Sequence, residues 1–116
     1  MSVRKASGAL AVWSALGCAL WGVVPLALAA DPAELARGKQ LFGSVQPACA
    51  TCHTLQAAGA EGQVGPVLDE IKPDAQRVLR ALRNGIGAMP SFAEKISESD
   101  MQALARFVAE STGASR

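Results

Sequence analysis

The 116-residue chain has no tyrosine, a single histidine and three cysteines, and its 11 basic side chains barely outnumber 10 acidic ones. Each shortage narrows the field. A net charge near zero supplies no dominant basic surface, which argues against a nucleic-acid partner. Cys49, Cys52 and His53 have no second cysteine or histidine pair with which to complete a tetrahedral zinc site. There is no internal repeat, no low-complexity tract, no strand of convincing alternation and no thioredoxin-like βαβ pattern. Aromatic residues are equally scarce: Trp13 and Trp21 fall in the first 29 residues, leaving Phe42, Phe92 and Phe107 for the rest. What remains is patterned for helices, and the expected fold class is all-α.

Charge is missing altogether from Ala6 to Ala30, directly after Arg4 and Lys5. A basic start, a long apolar run broken by Pro25, and Ala27-Leu28-Ala29 as a small-x-small cleavage pattern make residues 1–29 a secretion signal peptide. The same run is long enough to serve as an uncleaved membrane anchor. Cys18 could mark a lipoprotein site, but the apolar run continues past it to Leu28, so Cys18 reads as part of the leader. Taking 29 residues from 116 leaves 87, residues 30–116, with 9 basic and 10 acidic side chains. A domain of that size buries a modest share of its surface and usually needs a covalent or metal staple.

Cys49-Ala50-Thr51-Cys52-His53 supplies the staple. Two thiols three positions apart can each add across one vinyl group of a haem, and the adjacent imidazole then lies where it can bind the iron. A dithiol redox pair would want the missing βαβ context, and a structural disulfide would leave the histidine unexplained. The motif therefore points to haem c, with Cys49 and Cys52 as attachment points and His53 as a metal ligand. Export fits this chemistry, because bacteria normally attach haem c in the periplasm.

Three helices frame the motif. Asp31 as N-cap, Pro32 at the first helical position and Glu34 in a capping-box-like place open the first, which runs to about Gly43. Its face carries Leu35, Gly38, Leu41 and Phe42, where Gly38 is either a close helix crossing or a tolerated glycine. Pro73 and Asp74 start a second to Asn84-Gly85, with Val78, Leu79 and Leu82 inward and Arg77, Arg80 and Arg83 as a drifting basic stripe. Ser97 caps the third, whose apolar face is Met101, Leu104, Ala105 and Val108, flanked by Phe107. Between them, the small-residue loop 57–65 and the loop Ile86 to Pro90 are the expected borders of an exposed haem edge. Pro66 keeps a carbonyl that could accept from the ligand imidazole, although spacing alone makes it a simple turn.

Met1, Met89 and Met101 are the available sulfur ligands. Met1 lies in the leader and Met101 at a core position of a helix, where methionine usually packs. Met89 lies in an irregular loop beside Pro90, and position favours it as the second iron ligand.

Together these motifs resemble the class I bacterial c-type cytochromes over residues 32–112. The matching residues are Gly38 and Phe42, Cys49 to His53, Gly65-Pro66-Val67-Leu68, Gly85-Ile86-Gly87-Ala88-Met89-Pro90, and Phe107. The resemblance implies a small class I cytochrome c fold, with three main helices wrapped around one covalently attached haem c. It implies His53 and Met89 as iron ligands, Pro66 as acceptor for the His53 Nδ1 proton, Leu68 on the haem face, and a crossing of first and last helices near Gly38 and Phe107. The expected role is a periplasmic electron-transfer protein, not an enzyme, serving redox protein partners such as a dehydrogenase or oxidase. It makes no stable membrane insertion if the signal is cleaved. Residues 52–55 and the segment from Leu68 to Met89 are also similar to haem subunits of periplasmic dehydrogenases such as sulfite dehydrogenase, so an obligate subunit is the alternative. A haem sensor or enzyme with an open sixth site is a further alternative, which an intact Met89 opposes. Only Lys39, Lys72 and Lys95 follow the leader, so the lysine-rich docking face of mitochondrial-type cytochrome c is missing.

Overall fold

The computed structural model describes residues 29–114. The leader therefore lies outside the described residues except for Ala29. Among these residues five helices occur in the order α1 (Pro32–Ser44), α2 (Cys49–Cys52), α3 (Leu68–Ile71), α4 (Ala75–Asn84) and α5 (Glu98–Thr112). A two-stranded antiparallel ribbon, β1 (Thr54–Leu55) and β2 (Ala60–Glu61), follows α2, its strands joined by a 3₁₀ turn at Gln56–Ala58. The fold is thus mainly helical, as expected, while the ribbon and the one-turn helices α2 and α3 are additions. Two-residue strands are too short to leave an alternating signal.

The three long helices start where their caps dictate. Asp31 accepts from Ala33 N at 2.9 Å, Asp74 from Arg77 N at 2.7 Å, and Ser97 Oγ from Asp100 N at 3.1 Å. Each side-chain oxygen satisfies an amide that the helix itself leaves without a partner. Glu34 departs from its expected capping-box role. Its carboxylate lies 3.3 Å from Arg106 Nε on α5 instead, tying the two helices together.

Helices α1 and α5 cross almost backbone to backbone. A Cβ built on Gly38 would lie 2.2 Å from Ala103 O and 2.6 Å from Phe107 Cβ. The crossing reading of Gly38 therefore holds over that of a tolerated glycine. Phe42 and Phe107 meet edge to face across the crossing, with ring centroids 6.1 Å apart and planes at 69°. Arg37 spans to Asp100 with paired contacts of 3.0 and 2.9 Å. That hydrogen bond, more than charge alone, holds the Asp100 carboxyl below its ordinary range. The core of this frame contains Leu41, Phe42, Met101, Ala103, Leu104, Ala105, Phe107 and Val108. Helix α4 packs on α5 through Leu79 and Leu82, and Arg83 pairs with Glu98 at the start of α5.

Gly38→Ala should therefore destabilise the fold by about 2–3 kcal/mol, since backbone atoms on both sides cannot yield. Gly43 has nothing within 4 Å of a built Cβ, so Gly43→Ala should be neutral or slightly stabilising. Denaturant unfolding of both variants checks the pair; equal midpoints would place the helix crossing elsewhere.

Candidate haem site

Helix α2 is a single turn whose ends are the two cysteines. A three-residue separation on a helix puts their side chains on one face. His53 is its C-cap, in extended backbone, with its amide donating to Cys49 O at 2.9 Å. The chain then doubles back through the β1–β2 ribbon. Thr54 Oγ1 donates to Gly62 O at 2.9 Å, and the amides of Val64 and Gly65 both donate to Cys52 O, at 3.1 and 2.7 Å. This return lays Gly65-Pro66 against the imidazole. The Pro66 carbonyl can only accept, so the 2.9 Å contact assigns the proton to His53 Nδ1. Nε2 is left as the nitrogen available to iron.

Space around the ring is tight. A Cβ on Gly65 would lie 2.6 Å from His53 Cε1 and 2.8 Å from Nδ1, and one on Gly62 would lie 2.6 Å from His53 N. Only glycine lets the returning strand approach this closely.

The methionine loop is placed by the far end of α4. A helix leaves its last four carbonyls without internal partners. Here Gly85 N donates to Ala81 O at 2.8 Å, Phe92 N to Leu82 O at 2.7 Å and Ser91 Oγ to Arg83 O at 2.6 Å. These bonds draw the segment after Met89 back onto the helix. Within the loop, Ile86 and Met89 exchange two backbone hydrogen bonds of 3.0 Å across Gly87-Ala88, and Gly87 takes φ +54° to close the turn.

Both halves face one cavity of about 650 Å³, within the roughly 300–1,000 Å³ expected for a cofactor site. Cys49, Cys52, His53, Pro66, Leu68 and Met89 all line it. Met101 does not: it is buried in α5, packed in the core. Other walls are Phe42, Leu82, Phe92, Leu104 and Val108, with Arg77 and Arg80 as the charged side chains.

The residues fit a covalently held haem. Both cysteines are free thiols, and burial pushes the Cys49 thiol up to about 11, with the neighbouring Cys52 adding to the rise. A dithiol redox centre needs the opposite, a lowered thiol pKa. The apolar walls suit a macrocycle, one imidazole nitrogen is available, and a thioether enters the same space.

Some expectations on the border of the site change. Of loop 57–65 only Val64 and Gly65 reach the cavity, because Ala60 is turned into the core by its pairing with Leu55. The arginine stripe divides, with Arg83 drawn off to Glu98. Pro73, expected only as the start of the second helix, and Phe92, expected only as one of three aromatics, also line the cavity; the signal for Phe92 is a lone aromatic two positions after Pro90.

Residues 33–108 match the family described as "Cytochrome C oxidase, cbb3-type, subunit III". The chain is 33% identical over 107 residues to cytochrome c6 of Synechocystis sp., covering 81% of each protein. It is 34% identical over 73 residues to the cytochrome bc1 complex cytochrome c subunit of Corynebacterium diphtheriae, covering 60% of this chain and 24% of that one. The crystal structure of the c-type cytochrome SorU from Sinorhizobium meliloti matches with a TM-score of 0.69 and 45% identity, covering 72% of this chain and 95% of that one.

Gly65→Ala should displace the imidazole or the Pro66 carbonyl and weaken their hydrogen bond. In the reduced protein this should shift the His53 ring-proton resonances and lower the midpoint for haem-protein unfolding. Unchanged ring resonances would show that the returning strand does not constrain the histidine.

Proposed function

The chain belongs to the class I monohaem c-type cytochromes, and from that premise we propose that it is an exported one-electron carrier with His53 and Met89 as its iron ligands. Haem c bound here supplies an Fe(III)/Fe(II) couple. Cys49 and Cys52 would hold it to α2 through thioether bonds, with Leu68 among the residues around it. The hydrogen bond to Pro66 holds the His53 ring in one orientation and makes Nε2 a stronger donor. The observation that carries this reading is the convergence of both thiols, one oriented imidazole and one loop thioether on a single apolar cavity. Electron transfer asks for no acid, base or nucleophile from the protein. It asks for fixed ligands and excluded water, which the apolar walls provide. A histidine–methionine pair favours Fe(II) and so a reduction potential toward the high end.

Residues 1–29 are proposed as the signal peptide and 30–116 as the mature periplasmic domain. Among the described residues no helix is long and apolar enough to cross a membrane. Mass spectrometry of exported protein should find its N-terminus at Ala30; a retained Met1 or a lipid on Cys18 would refute cleavage there. The partners proposed are redox proteins, a dehydrogenase or an oxidase. A second reading, a permanent haem subunit, is favoured by the similarity to a protein named as a subunit of the bc1 complex. Native purification separates the two, since a permanent subunit co-elutes with a second chain and a free carrier does not.

Ligation has a direct optical test. The oxidised protein should show the weak long-wavelength sulfur-to-iron charge-transfer band, and Met89→Ala should abolish it while Met101→Leu spares it. The reverse pattern would identify Met101 as the ligand. Met89→His should lower the reduction potential, because a second imidazole stabilises Fe(III) relative to a thioether.

A further inference from the structure

Five arginines lie within the described residues, and three of them belong to the helix frame. Arg37 pairs with Asp100, Arg83 with Glu98 and Arg106 with Glu34. Arg77 and Arg80 have no acidic partner among the described residues, and residues 1–28 contain no aspartate or glutamate. Both are exposed at the surface, and among the described residues they are the only charged side chains that line the cavity, whose other walls are mostly apolar. Their spacing places them one turn apart on the same face of α4. Asp74, which caps the same helix, accepts from the backbone amide of Arg77 at 2.7 Å.

A haem brings two propionate carboxylates to this cavity, and a carboxylate against apolar walls needs a charged partner. We propose that Arg77 and Arg80 seat the two haem carboxylates, and that their role is to set the reduction potential and not to steer redox partners. This rests on the haem c reading above. Guanidinium suits the task because its planar fork matches a carboxylate with two parallel hydrogen bonds. An uncompensated propionate stabilises Fe(III) over Fe(II) through its negative charge, so each arginine raises the potential. It also follows that the mouth presents little field to a partner. Val64 and Ile86, which line the cavity, are 74% and 70% exposed and carry no charge.

The test uses the haem-loaded protein with Arg77→Gln, Arg80→Gln and the corresponding Lys variants. Retained haem under denaturing electrophoresis and an intact sulfur-to-iron band first establish that attachment and ligation are unaltered, so a failure of the haem reading is recognised separately. At a fixed applied potential, each Gln substitution should raise the Fe(III)/Fe(II) ratio roughly threefold to tenfold, from the loss of one partly screened charge. Lys should restore most of the difference. Redox-difference infrared spectra of haem labelled with ¹³C at its carboxylates should show the propionate bands shifting in both Gln and Lys variants. Oxidation by ferricyanide across an ionic-strength series should keep nearly the wild-type salt dependence. Unchanged ratios and carboxylate bands would overturn the proposal. So would variants that change only the rate and salt dependence with ferricyanide, which would make the arginines outward-facing steering charges. Should the Gln variants fail to accumulate with haem, the Lys variants decide by their carboxylate bands, shifted in support or unshifted in refutation.

Discussion

The near-contact of α1 and α5 at Gly38 is the constraint on which the rest of the structure depends. With Ala103 O only 2.2 Å from where a side chain would begin, the two helices meet with no room for a spacer. That closeness brings Phe42 and Phe107 into edge-to-face contact and turns Phe42, Leu104 and Val108 toward one cavity. The ion pairs Arg37–Asp100 and Arg106–Glu34 connect the same two helices, but they lie at the surface. Exposed pairs contribute little to stability, so they specify the angle more than they hold the helices together. What they do settle is which cations remain for other work.

On that frame the site is built from two returns of the chain, each driven by backbone groups in need of partners. One return follows α2 and ends with two amides on Cys52 O and the Pro66 carbonyl on His53. The other follows α4 and ends with Phe92 N and Ser91 Oγ on its terminal carbonyls. Each return also buries apolar side chains of its own, Leu55 and Ala60 in the first and Phe92 in the second. The hydrogen bonds align the backbone, and the other large apolar residues arrive mainly from α1, α4 and α5. Backbone hydrogen bonds on both sides would hold the proposed ligands in place, which suits redox cycling because it is fastest when neither oxidation state asks the ligands to move.

The sequence discloses the parts of this arrangement that are local. Asp31, Asp74 and Ser97 announce their helices because an N-cap acts within three residues of itself. Cys49 to His53 announces its chemistry because the two vinyl groups of one macrocycle fix the thiol spacing. Gly38 was ambiguous because a glycine in a helix has the same local cost whether or not another backbone lies against it. The Pro66 contact and the exclusion of Met101 are tertiary facts, decided by how far the chain turns after Cys52 and which face of α5 looks inward. Glu34 shows the limit most clearly. Its local capping option and its distant partner Arg106 compete for one carboxylate, and only the folded helix pair reveals the second.

The distribution of charge carries the same logic one step further. A carrier with nearly balanced charge could still have a strong local field if its cations were gathered at the mouth of the site. Instead, Arg37, Arg83 and Arg106 are paired with carboxylates within the frame, and the two arginines that line the cavity are the ones proposed to meet the haem carboxylates. The exposed apolar border is then Val64, Ile71 and Ile86, neutral side chains that neither attract nor repel at a distance. Without a steering field, encounter depends on random collision and short-range fit, and it is insensitive to the sign of charge on the other protein. Such a surface suits a carrier that must leave one redox partner and meet another.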